Sequence, residues 1–128
     1  MAATRWRLWR TLAPRKLRVE AIRAENLAIV EDVGVEFDAG LNVITGETGA
    51  GKSILVGALA LLLGERADKS LIRSGEDTGS VEASFELDAP EAVDALLDHL
   101  GLDPCEDGLL IIRRVLSASG SGRIHVND

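Results

Sequence analysis

The apolar positions of this chain fall into runs with two different periods. Val81, Ala83, Phe85 and Leu87 alternate with Glu82, Ser84 and Glu86, the pattern of a strand with one buried and one wet face. Val33, Val35 and Phe37 alternate in the same way with Gly34 and Glu36, so Leu17–Arg23 and Leu27–Phe37 read as two strands, antiparallel to one another. Asp38-Ala39-Gly40 marks a turn, and Leu41–Thr45 reads as a third, short strand. Ser53–Leu63 is apolar and free of proline, as a buried helix would be, with Gly64 as its C-cap. Glu65–Gly79 is polar and turn-rich. Asp88 with Glu91 predicts a capping-box start for a second helix, whose apolar stripe runs from Ala92 to Leu100 and stops at Gly101. Leu109–Leu116 and Arg123–Val126 read as a hairpin across the Ser117–Gly122 loop.

Between the third strand and the first helix lies Gly46-Glu47-Thr48-Gly49-Ala50-Gly51-Lys52-Ser53, which fits the phosphate-loop pattern G-x-x-x-x-G-K-[ST] in its required strand–loop–helix setting. The residue types answer a physical need. Backbone N–H groups can wrap a triphosphate only if the chain approaches closely, and Gly46, Gly49 and Gly51 remove side chains that would block it. The opening N–H groups of the helix lack intrahelical partners and sit at the positive end of its dipole. Lys52 would bring a full charge to the β- and γ-phosphates, and the Ser53 hydroxyl would be one ligand of Mg²⁺. Glu47 reads as a solvent-facing loop residue, not a base. A nucleoside triphosphate and Mg²⁺ are therefore the expected cofactors, held by Gly46 to Ser53.

Composition narrows the reading. The 128 residues suffice for one small domain with a core. The only aromatics are Trp6, Trp9, Phe37 and Phe85, too few for stacking of bases to be the main activity. Net charge is −7 and unevenly spread: six of the 14 Lys and Arg residues fall in residues 1–18, which hold no acid, leaving eight against all 21 acids elsewhere. The acidic body argues against a general nucleic-acid surface. Cys105 is the single cysteine, which excludes an internal disulfide and a cysteine zinc site. No apolar run approaches a membrane span. Residues 1–16, basic and broken at Pro14, lack the apolar region of a secretory signal and read as a disordered extension, with an organelle transit peptide or a membrane-surface arm as the alternatives.

With these residues in view, Glu25-Asn26-Leu27-Ala28-Ile29, the Gly40–Leu55 run, Leu62-Leu63-Gly64-Glu65-Arg66-Ala67-Asp68, Leu71-Ile72-Arg73-Ser74-Gly75 and the Arg113–Asn127 hairpin together resemble the start of the bacterial RecN family. That family consists of DNA-repair ATPases related to the structural-maintenance-of-chromosomes (SMC) group and to ABC-type ATPases. The resemblance covers Leu17 to the last residue; residues 1–16 have no counterpart in it. It implies an α/β P-loop NTPase fold, the N-terminal lobe of an ABC-type head with mixed or antiparallel strands around the loop-bearing strand and helix. It also implies heads that dimerise around ATP, DNA as partner through the full-length protein, a role in double-strand break repair and recombination, and a cytoplasmic, nucleoid-associated location with no membrane. The chain stops at Val126-Asn127-Asp128, in or just after a strand, so the expectation is an incomplete head. The family's glutamine loop, coiled coil, signature motif, Walker B acid and switch histidine would lie beyond it, and the fragment alone would bind nucleotide weakly without turning it over.

Arg66, just past the loop helix, is the catalytic candidate by this resemblance, with a solvated loop arginine as the alternative. Arg73, Arg113, Arg114 and Arg123 are candidates for phosphate-backbone contacts. His99 and His125 lack a second ligand at metal spacing and read as structural. Asn26 is either near the adenine side or a turn former. Two other functions compete: a small stand-alone P-loop kinase or NTPase, and a non-catalytic anion-binding module. Two strands before the loop speak against the kinase, whose loop-bearing strand usually comes first.

Overall fold

The structure, a computed structural model, describes residues 17–45 and 49–128. The basic extension 1–16 and loop residues Gly46, Glu47 and Thr48 lie outside them. Five strands form one sheet in the order β2-β1-β3-β4-β5, with every neighbouring pair antiparallel. They are β1 (Leu17–Leu27), β2 (Val30–Glu36), β3 (Thr78–Leu87), β4 (Leu109–Ser117) and β5 (Arg123–Val126). Helix α1 (Gly49–Leu62) packs across β1, β3 and β4, and α2 (Glu91–Leu100) links β3 to β4.

The alternation in β3 does what it predicts. Val81, Ala83, Phe85 and Leu87 are buried and face α1 and α2, and Glu82, Ser84 and Glu86 face away. Their partners across the ladders, Ile22 and Ala24 on β1 and Leu110 on β4, join Leu55, Ala58 and Leu61 of α1 and Leu97 of α2 in one core. The first hairpin turns later than the apolar pattern suggests. β1 runs on to Leu27, and Asn26 and Ala28 both take φ +50°. Asn26 lies near the end of β1, before the turn at Ala28 and Ile29. Its carbonyl accepts the Arg73 N–H at 2.9 Å, and Ala28 N–H donates to Leu71 O at 2.8 Å, which ties the turn to the 65–79 segment.

Two expectations about elements fail. Leu41–Thr45 is not a strand: it is irregular, with Leu41 92 % and Val43 73 % exposed. The described sheet ends at β2 and β5, and neither offers its free edge to this run, so its backbone groups have no ladder to join. Among the described residues the sheet is all-antiparallel, and Leu41–Thr45 enters the loop outside it. The start of α2 also differs from the expected capping box: its N-cap is Pro90, not Asp88. Proline presets the helical φ, here −72°.

Both helices stop at glycine as expected. Gly64 (φ +98°) donates to Leu61 O and Glu65 to Ala60 O, and Gly101 (φ +70°) donates to Asp98 O while Leu102 reaches Leu97 O. These are paired 5→2 and 6→1 closures, which need a left-handed residue after the last turn.

Candidate functional site

The site is built on the first turn of α1. The helix opens at Gly49, so Gly51 is the last residue whose N–H has no intrahelical acceptor, and Lys52 and Ser53 follow it in the first turns. A Cβ placed on Gly51 would meet nothing within 4 Å, so space for an approaching ligand lies open there. Lys52 is half-buried and Ser53 exposed. The first turn of α1 carries no acid, whereas that of α2 carries Glu91 and Asp94. A protein that only needed to neutralise its helix dipole would place acids there, as α2 does. The positive end of α1 is thus left for an anion from outside, and the residues present fit a phosphate group.

Ser53 lies at one end of an apolar groove of ≈ 170 Å³ along α1, lined by Leu27, Ala28, Ile54, Gly57, Ala58, Leu61 and Leu71. The exposed Ile29 and Val56 add apolar surface nearby in the chain. Leu41, Val43 and Ile44 are exposed as well.

Arg66 is not beside the phosphate loop. It follows the C-terminus of α1, and fourteen residues of helix separate the two ends by roughly 20 Å. It lies instead in a cleft of ≈ 320 Å³ with Lys69, Arg114 and Arg123. The other arginines disperse. Arg73 faces Glu31 at 3.6 Å. Arg113 lies on the wet face of the sheet, across from Glu82 and His125. Arg114 points the other way and donates to Leu61 O at 2.7 Å and Glu65 O at 2.6 Å. It closes the end of α1, a role that the doublet Arg113-Arg114 did not reveal because adjacent strand residues face opposite sides.

His125 pairs with Asp128 at 2.9 Å, and among the described residues no three His, Cys, Asp or Glu side chains converge on a metal site. Cys105 donates its backbone N–H to Asp94; burial, then the Asp94 carboxylate, pushes its thiol above the usual range. No described helix is long and apolar enough to cross a membrane.

Comparison with known proteins agrees with this geometry. Residues 21–106 match a family model described as an AAA domain. The chain is 40 % identical over 103 residues to the DNA repair protein RecN of Bacillus subtilis, covering 80 % of this chain and 18 % of that protein. It is 39 % identical over 105 residues to the RecN of Streptomyces coelicolor, covering 82 % and 18 %. It therefore spans about a fifth of the length of the relatives it matches. Among solved structures, the Smc head domain of Pyrococcus furiosus aligns with TM-score 0.67 at 20 % identity, covering 88 % of this chain and 29 % of that one. The recombination mediator RecF in its ATPrS-bound structure aligns with TM-score 0.67 at 21 % identity, covering 89 % and 28 %. At these identities the likeness is one of fold: an α/β P-loop ATPase head.

Proposed function

This chain belongs to the AAA-domain family, and from that premise we propose that it is the nucleotide-binding N-terminal lobe of a RecN-like ATPase acting in DNA double-strand break repair. The observation that carries the reading is the acid-free first turn of α1, with Gly51, Lys52 and Ser53 at the positive end of the helix. Backbone N–H groups there, together with Gly46–Ala50, would cradle the phosphates of ATP. Lys52 would set a full charge against them, and the Ser53 hydroxyl would be the protein's ligand to Mg²⁺. Bound Mg²⁺ would neutralise charge on the phosphate oxygens.

The lobe is incomplete as a catalyst. Phosphoryl transfer to water needs a group that orients the water and an acid on the metal's far side. Among the described residues no carboxylate lies in the first turn of α1. We assign those groups to a second lobe, which fits the apolar groove along α1 and the unpaired run Leu41–Thr45. An edge for that run is what a second lobe would supply. Residues 17–128 are then one lobe of a head, with residues 1–16 an extension to it. Dimerisation of heads around ATP, contact with DNA and a place at the bacterial nucleoid follow from the same reading. A stand-alone kinase is not favoured: β1 and β2 precede the loop, and the similar full-length proteins are repair proteins.

The test is titration of a fluorescent ATP analogue into the chain, with Mg²⁺ and with chelator. Saturable, Mg²⁺-strengthened binding that Lys52→Ala abolishes supports the reading. Binding that ignores both Mg²⁺ and Lys52 overturns it in favour of a simple anion-binding module.

A further inference from the structure

Helix α2 turns an apolar stripe outward. Leu97 enters the core, but Leu96 is 57 % and Leu100 59 % exposed, and Leu102, just beyond Gly101, is 37 % exposed. Ala92, Leu96 and Leu100 recur at four-residue spacing, so they share one side of the helix. The outward side of a surface helix is ordinarily polar, and an exposed apolar strip with a polar rim marks an interaction surface. The rim here carries one sign of charge. Residues 86–107 hold eight acids and no Lys or Arg. Glu91 and Asp98 are exposed, and among the described residues neither makes an ion pair. What fits this face is a segment that is both apolar and basic.

Such a segment is in the same chain. Residues 1–18 hold six Lys and Arg and no acid, with Trp6, Leu8, Trp9 and Leu12 interleaved among the bases. The strand register brings the two close. Leu17 lies opposite Leu87, the last residue of β3, and α2 begins shortly afterwards at Glu91. The chain before Leu17 therefore joins the sheet beside the strand that feeds α2. Opposite charges already meet at this junction: Arg18 is ion-paired with Glu86. Reach is not limiting. Residues 5–16 can extend to about 40 Å, whereas the ten residues of α2 cover about 15 Å. We propose that residues 5–16 dock on the outward face of α2 in their own chain. Trp6 and Trp9 cover Leu96 and Leu100, and the arginines face the surrounding acids. Burial of aromatic area supplies most of the attraction, because exposed ion pairs are individually weak; the charges set orientation. The proposal is independent of the nucleotide loop.

Trp6 and Trp9 are the only tryptophans and the chain has no tyrosine, so intrinsic fluorescence reports residues 1–16 alone. The experiment compares the full chain with a synthetic peptide of residues 1–16, reading emission maximum and acrylamide quenching. Docking gives wild type a blue-shifted, quencher-protected emission that does not vary with protein concentration and weakens as salt is raised. Leu96→Ser/Leu100→Ser moves the emission to that of the peptide. Asp98→Lys moves it part of the way, and the control reversal Glu76→Lys, far from α2 in sequence, leaves it at wild type. A cation in the last turn suits the helix dipole, so Asp98→Lys retains α2, and far-UV circular dichroism checks the fold of each variant. Wild-type emission equal to the peptide's, or protection unmoved by both α2 variants, overturns the proposal. Protection lost on dilution assigns the segment to a second copy. A blue shift seen only with anionic phospholipid vesicles assigns it to a membrane surface. Either result overturns docking within the chain.

Discussion

Arg114 holds Leu61. From the core-facing side of β4, one guanidinium nitrogen donates at 2.7 Å to the Leu61 carbonyl and at 2.6 Å to that of Glu65, just past the helix end. The side chain stands in the row Leu110, Ile112, Leu116 that faces α1, opposite the fully buried Val81. A cation is tolerated there because the last carbonyls of a helix lack intrahelical donors and carry its negative dipole end. The sheet is thereby fixed to the end of the helix whose other end carries Lys52 and Ser53.

Removing that clamp should cost stability. Charged hydrogen bonds of this kind contribute about 1.5–3 kcal/mol, and Arg114→Ala is expected to lower unfolding free energy by about 2 kcal/mol in urea. Arg114→Lys should recover part of the loss, since an ammonium keeps the charge but not the fork geometry. A loss below about 0.5 kcal/mol, the ordinary surface value, would show that the clamp is dispensable.

Gly79 is set by contact, not by a turn. A Cβ there would sit 2.7 Å from Asn26 O and 3.0 Å from a Leu27 methyl. Gly79→Ala must push the β1–β2 turn away from β3, at a cost of about 1–3 kcal/mol. Gly34, whose added Cβ meets nothing within 4 Å, is the matched control. Equal urea midpoints for the two alanine variants would refute this account.

The run Leu41–Thr45 gives a prediction of the opposite sign. Val43 is 73 % exposed, so Val43→Thr should leave the stability of this chain within about 0.5 kcal/mol of wild type. A penalty of core size would mean that the run is packed.

Hydrolysis is expected to be absent. With ATP and Mg²⁺ the chain should show binding that Lys52→Ala weakens at least about tenfold, equivalent to 1.4 kcal/mol, and no steady release of phosphate. Sustained turnover dependent on Lys52 would show that the chain contains its own water-orienting group.

The acid limb of stability should report Asp32. Arg23 donates to both its carboxylate oxygens, at 3.0 and 2.7 Å, and holds its pKa below the usual range. A depressed carboxylate stabilises the fold at pH above its unfolded value, about 3.9, and that contribution is lost as pH falls through the lower folded value. Asp32→Asn should therefore differ from wild type by a constant amount at neutral pH and converge with it in strong acid. A gap in melting temperature that widens on acidification would contradict the assignment.

Much of the fold was legible because it depends on local periodicity. The alternation in Val81–Leu87 located a strand and chose its buried face, and Gly64 and Gly101 ended both helices because the left-handed cap needs a residue without a Cβ penalty. The glycine-rich motif could be read for a similar reason: its pattern lies in consecutive residues, and α1 does open at Gly49. Residues Gly46–Thr48 complete that motif in sequence only.

What local pattern could not supply was the partner of each element. Leu41–Thr45 has strand composition, yet a strand exists only where a neighbour offers an edge. Arg113 and Arg114 are alike in sequence; the pleat sends one to the wet face and the other to a helix terminus 53 residues away from it in the chain. Arg66, adjacent in sequence to the loop helix, shares a cleft with Arg123 of the distant hairpin. The sequence by itself determined the periods, the stops and the glycine-rich motif, all properties of neighbouring residues. Tertiary structure decided which charges meet, because that depends on how a rigid helix and a pleated sheet bring distant residues together.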